Sequence, residues 1–367
     1  MQGTREARAS EAVKAQAVLP VPRGLEPVAT YRLPPLTTIR PRPPLWGSPA
    51  LEADGPPGRR AWRLAPAFRP GDGRETAREA QRRAARAGAQ SDFDRIRKRK
   101  EGPTMNILIT GAGSGIGLAA AERLAARGHG VIAGVHTQEQ LDCVLAEKHH
   151  PNILFVKLDV TDPVDKLLAG ELARMFDIEA YFGNASVGTG GSMAEIDMDL
   201  VRQTFETNVF SMFEIAQNVL PPMLERGHGR LIFMSSLIGE VPLRFFGPYA
   251  ATKAAIATLA RSLHQEAALF DADIRITVVL PGAYHTGFNQ RMIDGKFGWM
   301  REGSYFEDDI PKLCKREHVL FDVMEKKRLA SIVRAVEKAA TKPHPRFKYV
   351  APPSQALGAK LYMAAFR

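Results

Sequence analysis

The feature that most restricts the fold is a glycine turn set between two periodicities. Asn106–Thr110 is a short apolar run that stops at Gly111-Ala-Gly-Ser-Gly-Ile-Gly117. Beyond the turn, Leu118, Ala121, Leu124 and Ala125 recur at helical spacing. A strand therefore passes straight into a helix through a stretch free of bulky side chains.

The same alternation runs to the C-terminus. Strands are predicted at Asn106–Thr110, Gly130–Val135, Ile153–Leu158, Ala180–Asn184, Gly229–Ser235, Arg275–Leu280 and Phe347–Val350. Helices are predicted at Ile116–Arg127, Gln138–Glu147, Val164–Phe176, Leu200–Arg226, Tyr249–Phe270 and Val319–Ala340. Runs such as Ile276-Thr-Val-Val-Leu280 are continuously apolar, as strands buried on both faces require. The expected class is α/β, a Rossmann-type doubly wound parallel sheet of about seven strands in the order 3-2-1-4-5-6-7.

Residues 1–104 differ in kind. They hold 14 of the 26 prolines, and 18 Arg and 3 Lys against 11 acids, which accounts for the whole net charge of +10. So many prolines block helix interiors and central strands, so the segment is expected to be a disordered leader before a single domain at 105–367. The one exception is Glu75–Lys100, whose Ala, Arg and Glu suit a solvated helix. The leader can be an extension outside the working protein, a real tail, or a targeting or nucleic-acid arm; its 11 acids argue against a transit peptide. The remainder carries 29 bases and 29 acids, so nothing electrostatic favours nucleic acid there. Two cysteines, Cys143 and Cys314, make no disulfide framework, and a reducing cytoplasmic setting is expected. No metal-ligand cluster and no membrane-length apolar run is present in the sequence.

The glycine turn has the context of a dinucleotide site. Gly111 permits the tight turn, Gly115 lets backbone approach a pyrophosphate, and Gly117 lets helix pack on strand. With Ser114 and Ile116 they form a cradle in which phosphate meets free N–H groups at a helix N-terminus. At the end of the second strand Val135 offers no carboxylate to hold ribose hydroxyls, whereas His136 and Thr137 can accommodate a phosphate. NADP(H) is therefore favoured over NAD(H). Glu139 is expected on the next helix, facing solvent. Asp159, after the third strand, can bond the adenine amino group or simply cap a turn.

Tyr249 and Lys253 are four apart, on one helix face. A nearby ammonium lowers a phenol's pKa, and a tyrosine so tuned can exchange a proton with a hydroxyl as hydride moves. Ser236, at the end of the fifth predicted strand, can hold the substrate oxygen. Alone, each has a plain alternative: a surface pair, or a turn serine.

Together, these motifs resemble the short-chain dehydrogenase/reductase family, whose TGxxxGxG turn, NAG-type segment, mid-helix Asn, Ser and YxxxK fall on Thr110–Gly117, Asn184-Ala-Ser186, Asn208, Ser236 and Tyr249/Lys253. Pro281-Gly282 and Thr286 resemble the family's turn beside the nicotinamide. The resemblance implies that Asn208 perturbs its helix and holds a water in a proton relay through the lysine, and that Asn184 braces the central strands near the cofactor. One departure stands out: the family's NNAG is Gly183-Asn-Ala-Ser186 here. Lys342–Val350 resembles the branch with 17β-hydroxysteroid and retinol dehydrogenase-like proteins.

The expected function is hydride transfer between NADP(H) and a secondary alcohol or carbonyl, with Tyr249 as acid/base, Lys253 tuning it, Ser236 positioning the oxygen and Asn208 supporting the relay. A substrate loop is expected at 284–318, and its Phe288, Met292, Phe297 and Trp299 suggest an apolar substrate or simply pack on the body. The tail Leu357–Phe366 suits a short amphipathic helix docked on the body. A homo-oligomer is implied by resemblance alone. The rival is a dinucleotide-binding sensor or scaffold without turnover.

Overall fold

The computed structural model describes residues 104–300 and 303–365. The expectations for 1–103, a disordered leader with a helix from Glu75, lie outside the described residues, as does the tail's last predicted residue, Phe366.

Seven parallel strands form one sheet: β1 (Asn106–Thr110), β2 (Gly130–Val135), β3 (Ile153–Lys157), β4 (Ile178–Gly183), β5 (His228–Met234), β6 (Asp273–Pro281) and β7 (Lys348–Ala351). Their order is β3-β2-β1-β4-β5-β6-β7, as expected. Strand boundaries differ from expectation by a residue or two, the ordinary uncertainty of element ends. The period-2 alternation of side chains splits β1 between two cores. Ile107 and Ile109 join the layer beneath α1 (Gly115–Ala126), and Leu108 joins the opposite one. That opposite layer is filled from α3 (Pro163–Met175), α5 (Ser211–Glu225) and α6 (Gly247–Glu266) by Leu172, Ile215, Val219 and Ile256. A short α2 (Gln138–Ala146) lies between β2 and β3.

Three expected elements are corrected. The helix predicted as continuous over 200–226 is α4 (Met198–Phe205), a π-turn at Glu206–Phe210, then α5. The predicted loop at 284–318 is largely helical: α7 (Phe288–Trp299) and the start of α8 (Ile310–Met324) occupy it. Met292, Ile293, Phe297 and Met300 line one helical face and bury against Phe246 and Tyr249. The predicted helix 319–340 is broken into α8 and α9 (Ala330–Thr341), because Glu325 turns extended and Lys326 pairs with the backbone of Ala283 and His285. The tail helix, α10, starts earlier than expected and spans Pro353–Ala365. No helix among the described residues is long and apolar enough to cross a membrane.

Candidate functional site

A cavity of about 1240 Å³ opens at the C-terminal ends of the strands, where side chains of consecutive βα connections converge. At one end lies the glycine turn. A Cβ at Gly117 would sit 2.4 Å from the Gly111 carbonyl oxygen and 2.7 Å from Asn184 Nδ2, so the turn can close only on glycine. Gly115 has φ +57°, a left-handed backbone. Ser114 caps α1 without a side-chain bond, and no acid stands in the first turn. The first N–H groups of α1 are thus open to an anion.

At the end of β2, Val135 is buried and His136 Nε2 lies 3.5 Å from Asp159 Oδ2. Thr137, expected to share a phosphate, instead caps α2 by accepting from the Gln140 amide at 3.2 Å. Glu139 is exposed on α2, as expected. Asp159 has the turn role the sequence allowed, its Oδ1 accepting from the Thr161 amide and hydroxyl, and the residue also lines the cavity.

At the other end stand Ser236, Tyr249 and Lys253, all on the cavity wall. The two serines divide the work. Ser235 Oγ donates to the Lys253 carbonyl at 2.7 Å and locks α6 to β5, while Ser236 turns into the cavity. Burial pushes the Tyr249 phenol well above the ordinary tyrosine range, and its hydrogen bond with Ser236 pulls it partly back. Burial also lowers Lys253 to about 7. Its Nζ donates to the Met234 carbonyl at 3.0 Å and lies 5.4 Å from the Tyr249 ring centre. The expectation that this lysine depresses the phenol's pKa is not met in this arrangement; desolvation governs both groups.

Residues 105–296 match the family described as short chain dehydrogenase. The chain belongs to that family. An uncharacterized oxidoreductase of Bacillus subtilis is 33% identical over 184 residues, which are 49% of this chain and 65% of that relative. The 3-oxoacyl-(acyl-carrier-protein) reductase FabG of Escherichia coli is 31% identical over 189 residues, 51% of this chain and 76% of that relative. A short-chain dehydrogenase structure from Streptomyces avermitilis, 25% identical, superposes with a TM-score of 0.57 over 72% of this chain and 94% of its own.

Within this short-chain dehydrogenase, Asn184 donates through Nδ2 to the carbonyls of Thr110 and Gly111, each at 3.0 Å, and so ties β4 to the turn. Asn208 is fully buried in the π-turn. Its Oδ1 accepts from the Val187 amide at 2.8 Å, and its Nδ2 donates to the Val187 carbonyl at 2.9 Å and to Thr252 Oγ1 at 3.1 Å. Both amide protons are spent, so the side chain clamps the cavity wall to α6. The departure at Gly183 has a steric reason: a Cβ there would meet Met212 Cγ at 2.7 Å and the Tyr181 hydroxyl at 2.9 Å. Ser186, in place of the family's glycine, leaves its Oγ buried without a partner on the cavity wall. Pro281, Gly282 and Thr286 line the same cavity, with Thr286 Cβ 3.4 Å from where a Gly115 Cβ would stand.

The open first turn of α1, the glycine cradle and the orphaned Ser186 hydroxyl fit a dinucleotide. Beyond Tyr249 the wall turns apolar, with Val241, Leu243, Phe288, Met292 and Phe321. The Phe288 ring lies 5.5 Å from that of Tyr249. Two polar residues of this region escaped the sequence reading. Glu325 and Gln355 sit 35–40 and 72 positions from the segment they bind, and no local motif marks them.

Proposed function

We propose that this dehydrogenase moves hydride reversibly between NADP(H) and a secondary alcohol or carbonyl carbon of an apolar substrate. The reading rests on one observation: a single cavity joins the glycine turn, the Ser236–Tyr249–Lys253 set and an apolar wall. Bound nicotinamide would supply or accept the hydride. The chain's own groups handle the proton. A phenol held protonated by burial is a proton donor to a carbonyl oxygen as it becomes hydroxyl, and takes the proton back in the opposite direction. Ser236 holds that oxygen. Lys253 lies 5.4 Å from the Tyr249 ring centre and, through its bond to the Met234 carbonyl, holds α6 against the end of β5. Asn208 keeps the wall and α6 in register.

The cradle Gly111, Ser114, Gly115, Ile116 and Gly117 would take the pyrophosphate, Asp159 the adenine, and Asn184, Pro281, Gly282 and Thr286 the nicotinamide side. Preference for NADP(H) is supported by the carboxylate-free end of β2 and by His136, the residue there able to carry positive charge. Residues 105–367 act as the catalytic domain. The apolar wall supports a hydrophobic substrate. Cys143 and Cys314 stand as thiols rather than as a disulfide, which suits the cytoplasm. Exposed Phe210 and Leu259 support a homo-oligomer.

Titrating the protein with NADPH and NADH, followed by nicotinamide fluorescence, tests the reading. NADPH should bind more tightly, and His136→Ala should reduce that advantage by about tenfold, the value of one charge-assisted contact. Tighter NADH binding would overturn the cofactor preference alone. Binding of neither would overturn the enzyme reading.

A further inference from the structure

The segment that follows β6 carries Gly282 and Thr286 on the cofactor side and Phe288 beside Tyr249. A stretch with two such duties must be held in place from outside. Its backbone is pinned first: the Lys326 amide donates to the Ala283 carbonyl at 3.0 Å, and the His285 amide to the Lys326 carbonyl at 3.2 Å. Gln355 of the tail helix adds a second tie. Its Oε1 accepts from the Ala283 amide at 2.7 Å, and its Nε2 donates to the Met324 carbonyl at 2.7 Å.

The third tie is the one with the most at stake. The Glu325 side chain is 1% exposed, a carboxylate taken almost wholly from water. Its Oε2 accepts from His285 Nδ1 at 2.8 Å and Gln290 Nε2 at 3.0 Å, and its Oε1 from Asn289 Nδ2 at 2.7 Å. No lysine or arginine pairs with it among the described residues; the imidazole of His285 is its one titratable partner there. A buried carboxylate held mainly by neutral donors costs free energy to desolvate. What the three bonds accomplish is geometric. They fasten residues 285, 289 and 290, which bracket Thr286 and Phe288 on either side.

We propose that Glu325 is a positioning residue for the reaction: it sets where Thr286 meets the cofactor and where Phe288 packs on Tyr249, without touching either ligand. The inference rests on the functional reading above. Removing the carboxylate frees three donors and lets the segment drift, and a misplacement of about 1 Å at a reacting centre can cost on the order of 100-fold in rate.

The test is a double-mutant cycle on the full chain with Glu325→Ala, Thr286→Ala and both, reading NADPH affinity by nicotinamide fluorescence and kcat and KM on an apolar ketone. Glu325→Ala should weaken NADPH binding about tenfold, as expected for lost charge-assisted bonds. That loss should shrink in the Thr286→Ala background, because Glu325 acts through Thr286. Glu325→Gln keeps an acceptor for His285 and Gln290, and should recover most of kcat. Equal losses with and without Thr286, or a Glu325→Ala enzyme like wild type, would overturn the positioning role while leaving the function intact. A wild type that binds no nucleotide would overturn the function first. If Glu325→Ala does not fold, His285→Ala replaces it in the cycle; that side chain is 60% exposed and its loss leaves no cavity. No coupling between His285→Ala and Thr286→Ala would equally overturn the proposal.

Discussion

Two buried lysines mark two differently built regions of this dehydrogenase. Lys253 lies in the nucleotide half, bonded to the Met234 carbonyl, and no carboxylate among the described residues faces it. Lys296 lies between α7 and α8 in the half that covers the substrate end, paired with Glu317 and placed 3.5 Å from the centre of the Phe246 ring. The contrast extends outward from each. Around the nucleotide end the cavity wall itself is held by neutral bonds to backbone, from Asn184 to the turn and from Asn208 to Val187, with ion pairs such as Lys157–Asp165 and Lys166–Glu206 set outside that wall. The covering half is fixed by carboxylates, Glu317 on Lys296 and Glu325 on His285, Asn289 and Gln290. Neutral backbone bonds are indifferent to pH and hold one geometry. Charged ties hold α7 and α8, which carry no ladder bonds to the sheet, at the cost of desolvating the charges.

The residue where the halves meet gives the strongest test. Tyr249 belongs to α6, yet its ring packs against Phe288 of α7. Tyr249→Phe keeps that packing and removes only the hydroxyl, with its proton and its bond to Ser236. Turnover should fall about 10³-fold, the usual worth of a general acid. NADPH affinity should stay within about twofold, since the ring does no phosphate work. Comparable loss of both would mean that the two halves are not separable, and that the hydroxyl holds the cavity together rather than serving the chemistry.

The same division decides what a reader of the sequence can see. Thr110–Gly117 fits in eight residues, and Tyr249 and Lys253 lie one helical turn apart, so periodicity and spacing expose them. Continuous apolar runs expose the strands, and their alternation with helices makes the sheet parallel; the strand order comes with the family resemblance. The π-turn at Glu206–Phe210 is invisible to a period of 3.6, because the cause is a buried amide meeting Val187, a residue 21 positions away. In the covering half, Phe288, Met292 and Phe297 stand out as apolar, but the three glycines at 287, 295 and 298 disguise the helix that arranges them. Glu325 is one acid among forty until the fold brings three donors to it.

A second prediction breaks the notion that motif positions in the nucleotide half are interchangeable within the family. Restoring the family's asparagine, Gly183→Asn, puts a Cβ against Met212 and the Tyr181 hydroxyl, both buried. The protein should lose about 1–3 kcal/mol by overpacking, read from the midpoint of a urea titration. Full stability with unchanged activity would mean that Met212 can swing aside, and that the glycine has no steric cause.

The smallest effect separates the lysines themselves. Burial lowers Lys253 from the ordinary 10.5 to about 7, whereas Lys296 is lowered to about 8, with burial opposed by its bond and charge contact with Glu317. A lysine whose folded pKa is depressed destabilises the fold fully below that value, where it must carry its charge in the interior. Between the folded pKa and 10.5 the unfolded chain binds the extra proton, so stability rises with pH. The Tyr249 shift works in the opposite sense, but only above the ordinary tyrosine pKa of 10.0. Stability should therefore climb from about pH 7 to about pH 9.5 in wild type. Lys253→Met should flatten most of that climb. The double replacement Lys296→Met with Glu317→Leu, which removes a whole pair rather than stranding one charge, should flatten less and only above about pH 8. Denaturant midpoints across that range measure both slopes. If the Lys296–Glu317 variant flattens the climb more than Lys253→Met, then the pair costs more than the lone lysine, and the covering half rather than the nucleotide half carries the larger desolvation burden.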